Sequence, residues 1–184
     1  MEARETALPD LMLLVPVVHG DERGFFHETY RRDGPLAAIE FVQENHSRSA
    51  RGVLRGMHFQ VGAGIGKLVR CARGAIFDVA VDLRQGSPAY GRWAGFQLDD
   101  SNLHQLWVPV GFAHGFLTLS EHADVIYKQT GYYDPGLERG IAWDDPHIGI
   151  DWPLEGAPVV SAKDATAPAL EDLAPELPFV YAAG

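Results

Sequence analysis

Between residues 75 and 83 the chain alternates strictly. Phe77, Val79, Val81 and Leu83 occupy one set of positions, and Ile76, Asp78, Ala80 and Asp82 the other. A period of two is the repeat of a β-strand, whose side chains point to opposite faces in turn. Similar reading predicts strands over 11–18, 25–30, 41–46, 53–60, 67–72, 93–97, 105–108, 115–119 and 125–132. Turn signals separate them: His19-Gly20-Asp21, Arg32-Asp33-Gly34-Pro35, Val61-Gly62-Ala63-Gly64, Gln85-Gly86-Ser87-Pro88 and Asp134-Pro135-Gly136. Only 35–39 and a piece within 163–173 read as helical, and Pro168 limits the second. Many short strands at close spacing predict an all-β antiparallel sandwich or barrel. The segment from about 158 to 184, punctuated by Pro158, Pro168, Pro175 and Pro178, reads as an appendage laid over it. No linker or repeat divides the chain, so residues 1–184 are expected to form a single jelly-roll domain with short helices.

Charge narrows the partners. With 25 acidic against 15 basic residues the net charge is −10, and no basic block offers the clustered cations that displace counterions from a nucleic acid. Cys71 is the single cysteine, so no intrachain disulfide can form. The charged start, Met1-Glu2-Ala3-Arg4-Glu5, is not followed by a long apolar run, and no run reaches the roughly 18 residues of a spanning helix. The expectation is a soluble, cytoplasmic protein with no nucleic-acid or membrane partner.

Chemistry concentrates around His58. On a strand over 53–60, Met57 and Phe59 share one face and His58 takes the other. Arg55 and Lys67 flank it at a distance that suits an anionic substrate and an oxyanion. A lone histidine is more often structural than catalytic, but an imidazole anchored between two apolar neighbours and facing a barrel interior has the pKa range of a general base. Lys67 follows a glycine-rich turn and begins an otherwise apolar strand, where an exposed lysine is the plainer alternative. His114 sits in Pro109-Val110-Gly111-Phe112-Ala113-His114-Gly115-Phe116, either packed in a tight turn or lining a pocket. Tyr127 can satisfy its hydroxyl in a core or donate a proton. Tyr132 and Tyr133 are adjacent, so at most one enters a pocket if the strand continues through them. Ser161-Ala162-Lys163-Asp164 reads equally as a weak capping box or as a carboxylate that orients a histidine. A bound metal would need about three protein ligands. Gly56 and Gln60 stand where a His-x-His pair would put its second imidazole, and Asn45-His46 and His114 do not complete a set, so metal independence is expected.

Seven segments resemble the dTDP-4-dehydrorhamnose 3,5-epimerase family. They are Arg23-Gly24-Phe25-Phe26-His27-Glu28, Gln43-Glu44-Asn45-His46-Ser47, Val53-Leu54-Arg55-Gly56-Met57-His58-Phe59-Gln60, Gly66-Lys67-Leu68-Val69-Arg70-Cys71, Phe77-Asp78-Val79-Ala80-Val81-Asp82, 107–116, and Ser161-Ala162-Lys163-Asp164-Ala165. They run in order from about residue 5 to about residue 173. The resemblance implies a cupin jelly roll (a double-stranded β-helix), a homodimer with composite active sites, and no cofactor. It implies epimerisation of dTDP-4-dehydro-6-deoxy-D-glucose at C3 and C5 to dTDP-4-dehydro-L-rhamnose. By position, His58 is similar to the family's general base, Asp164 to the carboxylate paired with it, Lys67 to the stabiliser of the C4 enolate and Tyr127 to the opposing acid. Arg55 matches a diphosphate ligand. Arg23, Phe25 and Glu28 match a segment that reaches the neighbouring subunit's nucleotide. Gln43, Asn45, His114 and Tyr133 match pocket-lining positions. The chain departs from the family in the turn before Lys67, where three glycines stand in place of a proline-containing turn, and in Met57, where leucine is more frequent.

Three other functions compete with the double epimerase. A monoepimerase of an antibiotic-sugar pathway would share its fold and residues and differ in the number of carbons exchanged. A metal-dependent cupin oxygenase or isomerase would carry metal after purification. A sugar-nucleotide-binding module without catalysis is disfavoured by the joint presence of His58, Lys67, Tyr127 and Asp164.

Overall fold

A computed structural model describes residues 1–182 and shows two antiparallel sheets face to face, with strands numbered in chain order. One sheet runs β1 (Glu2–Glu5), β2 (Met12–Val15), β10 (Gln105–Val108), β7 (Lys67–Arg73), β12 (His122–Gln129), β5 (Gln43–Ala50). The other runs β13 (Glu138–Gly140), β6 (Leu54–Gln60), β11 (Phe112–Thr118), β8 (Ala75–Asp82), β9 (Trp93–Asp99). Two further strands, β3 (Val18–Asp21) and β4 (Gly24–His27), pair only with each other. This is the jelly roll the alternating pattern predicts.

Alternation sorts the side chains into three apolar layers. Between the sheets, Val69 and Cys71 of β7 and Val125 of β12 meet Ile76 and Ala80 of β8 and Phe112 and Phe116 of β11. On the outer face of the five-stranded sheet, Met57, Phe59, Val79 and Val81 are covered by Ile141, Trp152, Leu170 and Phe179. The outer face of the larger sheet places Leu14, Leu68 and Trp107 under Leu36, Tyr30 and Phe41. Each wholly buried aliphatic side chain contributes roughly 1.5–3 kcal/mol. With both outer faces covered, chemistry has to enter through an end of the sandwich.

Several boundaries move. Pro16 divides the strand expected over 11–18 into β2 and β3, and His19-Gly20-Asp21 lies within β3, so the turn falls at Glu22-Arg23 instead. The strand expected over 25–30 is Gly24–His27, that over 41–46 is Gln43–Ala50, that over 115–119 is Phe112–Thr118, and that over 125–132 is His122–Gln129. The helix expected over 35–39 is a run of turns closed by Ala37 N–H to Gly34 O and Ile39 N–H to Leu36 O. Gly34-Pro35 sets a turn there, and the following residues close i→i+3 bonds that no further helical turn continues. The second helical piece divides at Pro168 into a 3₁₀ turn at Asp164–Thr166 and a short helix α1 at Leu170–Leu173. The covering appendage starts earlier than residue 158, since Ile141, Ile148 and Trp152 belong to it, and its last two residues lie outside the described ones. No described helix is long and apolar enough to cross a membrane.

Candidate active site

The site begins with an irregularity in β6. Across the strand pair, His114 of β11 faces His58 while Phe116 faces Arg55, so three steps along β6 match two along β11. One extra residue in a strand is a β-bulge, and it reverses the inside–outside parity on either side. Arg55 stands an odd number of places before His58, yet both line the same cavity, while Leu54 and Met57 both join the outer core. Glycine is required where the strands cross. A Cβ on Gly56 would lie 2.5 Å from the Gly115 Cα, and Gly56 has φ +136°. Met57 is 0 % exposed, so the bulge is clamped from outside as His58 turns inward.

His58 Nε2 lies 2.6 Å from Asp164 Oδ1. The carboxylate accepts the Nε2–H, which assigns the tautomer and leaves the Nδ1 lone pair free. Asp164 is buried, and its backbone N–H donates to Ser161 Oγ at 3.1 Å. Both readings of the Ser161–Asp164 segment are therefore realised: the serine caps the turn, and the acid reaches His58. Burial lowers the His58 pKa below the ordinary 6.5, and the Asp164 hydrogen bond offsets only part of that. The ring is a neutral imidazole at neutral pH, as a base must be.

Lys67 and Tyr127 come from the opposite sheet. Lys67 opens β7 and shares the inward parity of Val69 and Cys71. The glycine turn before it delivers it into the cavity wall; a Cβ on Gly64, at φ +73°, would lie 2.3 Å from Val110 Cγ1. Burial lowers the Lys67 ammonium from 10.5 to about 8, against the opposing charges of Asp78 and Glu138. Tyr127 is half-buried, and burial raises its pKa while the Arg55 charge pulls the other way, so the phenol keeps its proton. Cys71 is buried with its thiol pushed up to about 12, which leaves it inert.

These groups surround a cavity with two adjoining lobes, of about 320 and 470 Å³, that share His58, Lys67, Tyr127 and Glu138. Gln43, Asn45 and Tyr133 line the first lobe; Arg55, His114 and Asp164 line the second. Gln43 Nε2–H donates to Asn45 Oδ1 (3.0 Å), and Asn45 Nδ2–H to Gln129 Oε1 (2.8 Å), which fixes the amide wall. Arg55 is steadied by Ser49 Oγ at 2.9 Å. His114 Nε2 lies 2.8 Å from Asp78 Oδ1, so a second histidine–aspartate pair stands beside the first. Tyr133 enters the site and Tyr132 is 72 % exposed, although β12 ends at Gln129, before either residue. Among the described residues, no three His, Cys, Asp or Glu side chains converge as a metal would require.

Sequence reasoning missed Glu138, Lys163 and Asp78. Glu138 accepts from Tyr133 Oη (2.9 Å) and from Lys163 Nζ, and all three face the sugar-sized space. Glu138 lies on a three-residue edge strand with no pattern to announce it, whereas Lys163 adjoins Asp164 and was within reach. Arg23, Phe25 and Glu28 are not brought to this cavity within the chain. Arg23 pairs with Asp21 at the hairpin turn, Phe25 is 59 % exposed, and Glu28 pairs with Arg31.

Chemically, the two walls oppose a neutral base and a protonated phenol, with a buried cation beside them. That set removes and returns a proton next to a carbonyl whose oxygen takes up negative charge.

Comparison with known proteins agrees with this reading. Residues 5–172 match the family model described as dTDP-4-dehydrorhamnose 3,5-epimerase. The dTDP-4-dehydrorhamnose 3,5-epimerase of Pseudomonas aeruginosa is 52% identical over 176 residues, covering 94% of this chain and 97% of that protein. The crystal structure of dTDP-6-deoxy-D-glucose-3,5-epimerase from Legionella pneumophila, in complex with dTDP-4-keto-L-rhamnose, superposes with a TM-score of 0.94 at 46% identity over 99% of both chains. A 4-keto-6-deoxy sugar epimerase from the novobiocin biosynthetic gene cluster of Streptomyces spheroides superposes with a TM-score of 0.93 at 40% identity, over 97% of this chain and 93% of that one.

Proposed function

The chain belongs to the dTDP-4-dehydrorhamnose 3,5-epimerase family, and from that premise we propose that it inverts C3 and C5 of dTDP-4-dehydro-6-deoxy-D-glucose to give dTDP-4-dehydro-L-rhamnose. The observation that carries the proposal is the opposition of His58 and Tyr127 on facing sheets, with Lys67 in the same cavity. His58 Nδ1 takes the proton from the carbon beside the C4 ketone. The Lys67 ammonium stabilises the enolate oxygen, where charge develops. Tyr127 returns a proton to the other face, and the carbon is inverted. Asp164 holds the tautomer and stabilises the imidazolium while it lasts. Arg55 takes the diphosphate, with Gln43, Asn45, His114 and Tyr133 about the sugar and nucleotide. Water then takes the proton from His58 and returns one to Tyr127 before the second carbon is inverted, so the cycle balances with side chains and solvent alone.

The protein acts as a homodimer with composite sites. The β3–β4 hairpin supports this, since it pairs with no other strand and leaves Phe25 and Phe26 59 % and 68 % exposed. A partner's cavity is a natural acceptor for those rings and for Arg23 and Glu28. An active monomer in sedimentation would contradict this arrangement.

The deciding experiment is incubation with the 4-keto-sugar nucleotide in deuterated water, followed by NMR of the product after coupled reduction. Deuterium at both C3 and C5, with both centres inverted, is expected. A single exchanged and inverted carbon would instead identify a monoepimerase.

A further inference from the structure

Asp78 is 0 % exposed at the centre of β8. One oxygen, Oδ1, is bonded to His114, and the other, Oδ2, is buried with no hydrogen-bond partner. A buried carboxylate normally satisfies both oxygens, because an unpaired one costs much of its hydration energy. Asp78 satisfies half of itself. Lys67 presents the mirror image: an ammonium in the cavity wall with no ion pair within 4 Å among the described residues. Each is expensive alone, and each carries the charge the other lacks.

The charged and titratable groups around Lys67 are His58 and Arg55 on β6, His114 on β11, Tyr127 on β12, Glu138 on β13, Tyr133, Lys163 and Asp164 outside the strands, and Asp78 on β8 behind His114. Three of them are carboxylates, and Asp164 is engaged by His58 at 2.6 Å. Glu138 is already engaged by Lys163 and Tyr133, and its side chain is 20 % exposed, so solvent screens it. Asp78 has neither competitor nor solvent at Oδ2. We propose that Asp78 is a positioning residue of this site, whose free oxygen is the buried counter-charge that keeps Lys67 an ammonium, while its bonded oxygen holds the His114 ring. Asp78 shares the inward parity of Ile76 and Ala80, and Lys67 that of Val69 and Cys71, so the two act through space from opposite sheets rather than as a contact pair, which leaves Nζ free to meet the substrate oxygen. The inference rests on the enolate-stabilising role given to Lys67 only for its effect on turnover.

The chain has three lysines, Lys67, Lys128 and Lys163, which makes a direct titration practical. Reductive ¹³C-methylation of the full protein gives three dimethyl-lysine signals, assigned with Lys128→Arg and Lys163→Arg. In Asp78→Asn the midpoint of the Lys67 signal is expected to fall by about one pH unit, with a smaller fall in Glu138→Gln. The alkaline limb of the kcat profile should move the same way. An unmoved Lys67 midpoint in Asp78→Asn overturns the proposal, whatever happens to the rate. Should Asp78→Asn not fold, the Asp78→Asn, Lys67→Met double variant should recover stability, since neither charge is then left alone; a double variant no more stable than the single one overturns it equally. Because the titration needs no turnover, it stands apart from the test of the epimerase reading.

Discussion

Two cations are drawn into this sandwich, and the protein treats them oppositely. Arg84, just beyond β8, spends four of its five guanidinium N–H donors on protein: Asp82 through Nε and Nη2, Asp10 through Nη1 at 2.6 Å, and Pro9 O at 2.9 Å. Its guanidinium also stacks on Phe112 and Tyr181, at 4.6 and 4.9 Å from the ring centres. Burial would lower its pKa, but the bonds to Asp82 and Asp10 outweigh that and raise it. Lys67 has no such partners, and burial brings it down to about 8. Saturated valence holds the fold together, tying the Leu8–Leu11 turn and the carboxy-terminal strap to β8. Unsaturated valence is what a reacting oxygen can use. Arginine suits the first task because its fork is planar and permanently charged; lysine suits the second because it is a point charge on a flexible stem.

The contrast can be broken in a fixed order. Arg84→Met strands the 0 %-exposed Asp82 carboxylate and is expected to cost about 3–5 kcal/mol of stability. Urea denaturation would read that loss, and kcat of the folded fraction should be unchanged. A fall in kcat would mean that the strap also shapes the site. Next is Lys67→Met, for which kcat should drop by ~10²–10³ as an oxyanion donor is lost, with the smaller stability loss of the two because no bond is broken. Equal destabilisation by the two variants would erase the distinction. The subtlest effect belongs to Tyr127→Phe. His58 should still form the enolate and return a deuteron to the face it left, so substrate exchange in deuterated water should outpace inversion. Exchange and inversion falling by equal factors would remove Tyr127 as the acid.

The parts of this molecule that could be read in advance are those where one residue type has one use. The alternation at 75–83 reads as a strand, and β8 follows it to within a residue. Met57 and Phe59 marked the anchored side of His58 for the same reason. β1 escaped because Glu2-Ala3-Arg4-Glu5 is exposed throughout and is held by backbone pairing to β2, which leaves no trace in side-chain pattern. The bulge in β6 escaped because it depends on Gly115, nearly sixty residues away. Asp78 was visible only as the polar member of an apolar run, and its use appears only when β11 brings His114 beside it. Long-range partners, not local preference, assemble the site.

The bulge at Gly56 also divides β6 into two reading frames. Ahead of it odd-numbered positions look into the cavity, and beyond it even-numbered ones do. Arg55 is written in one frame and His58 in the other. Regular pairing through all three residues, with no bulge, would leave His58 where it is but turn Arg55 into the apolar layer outside. The three-residue interval between Arg55 and His58 therefore serves the cavity only together with the bulge, and any redesign of this pocket has to carry the two as one unit.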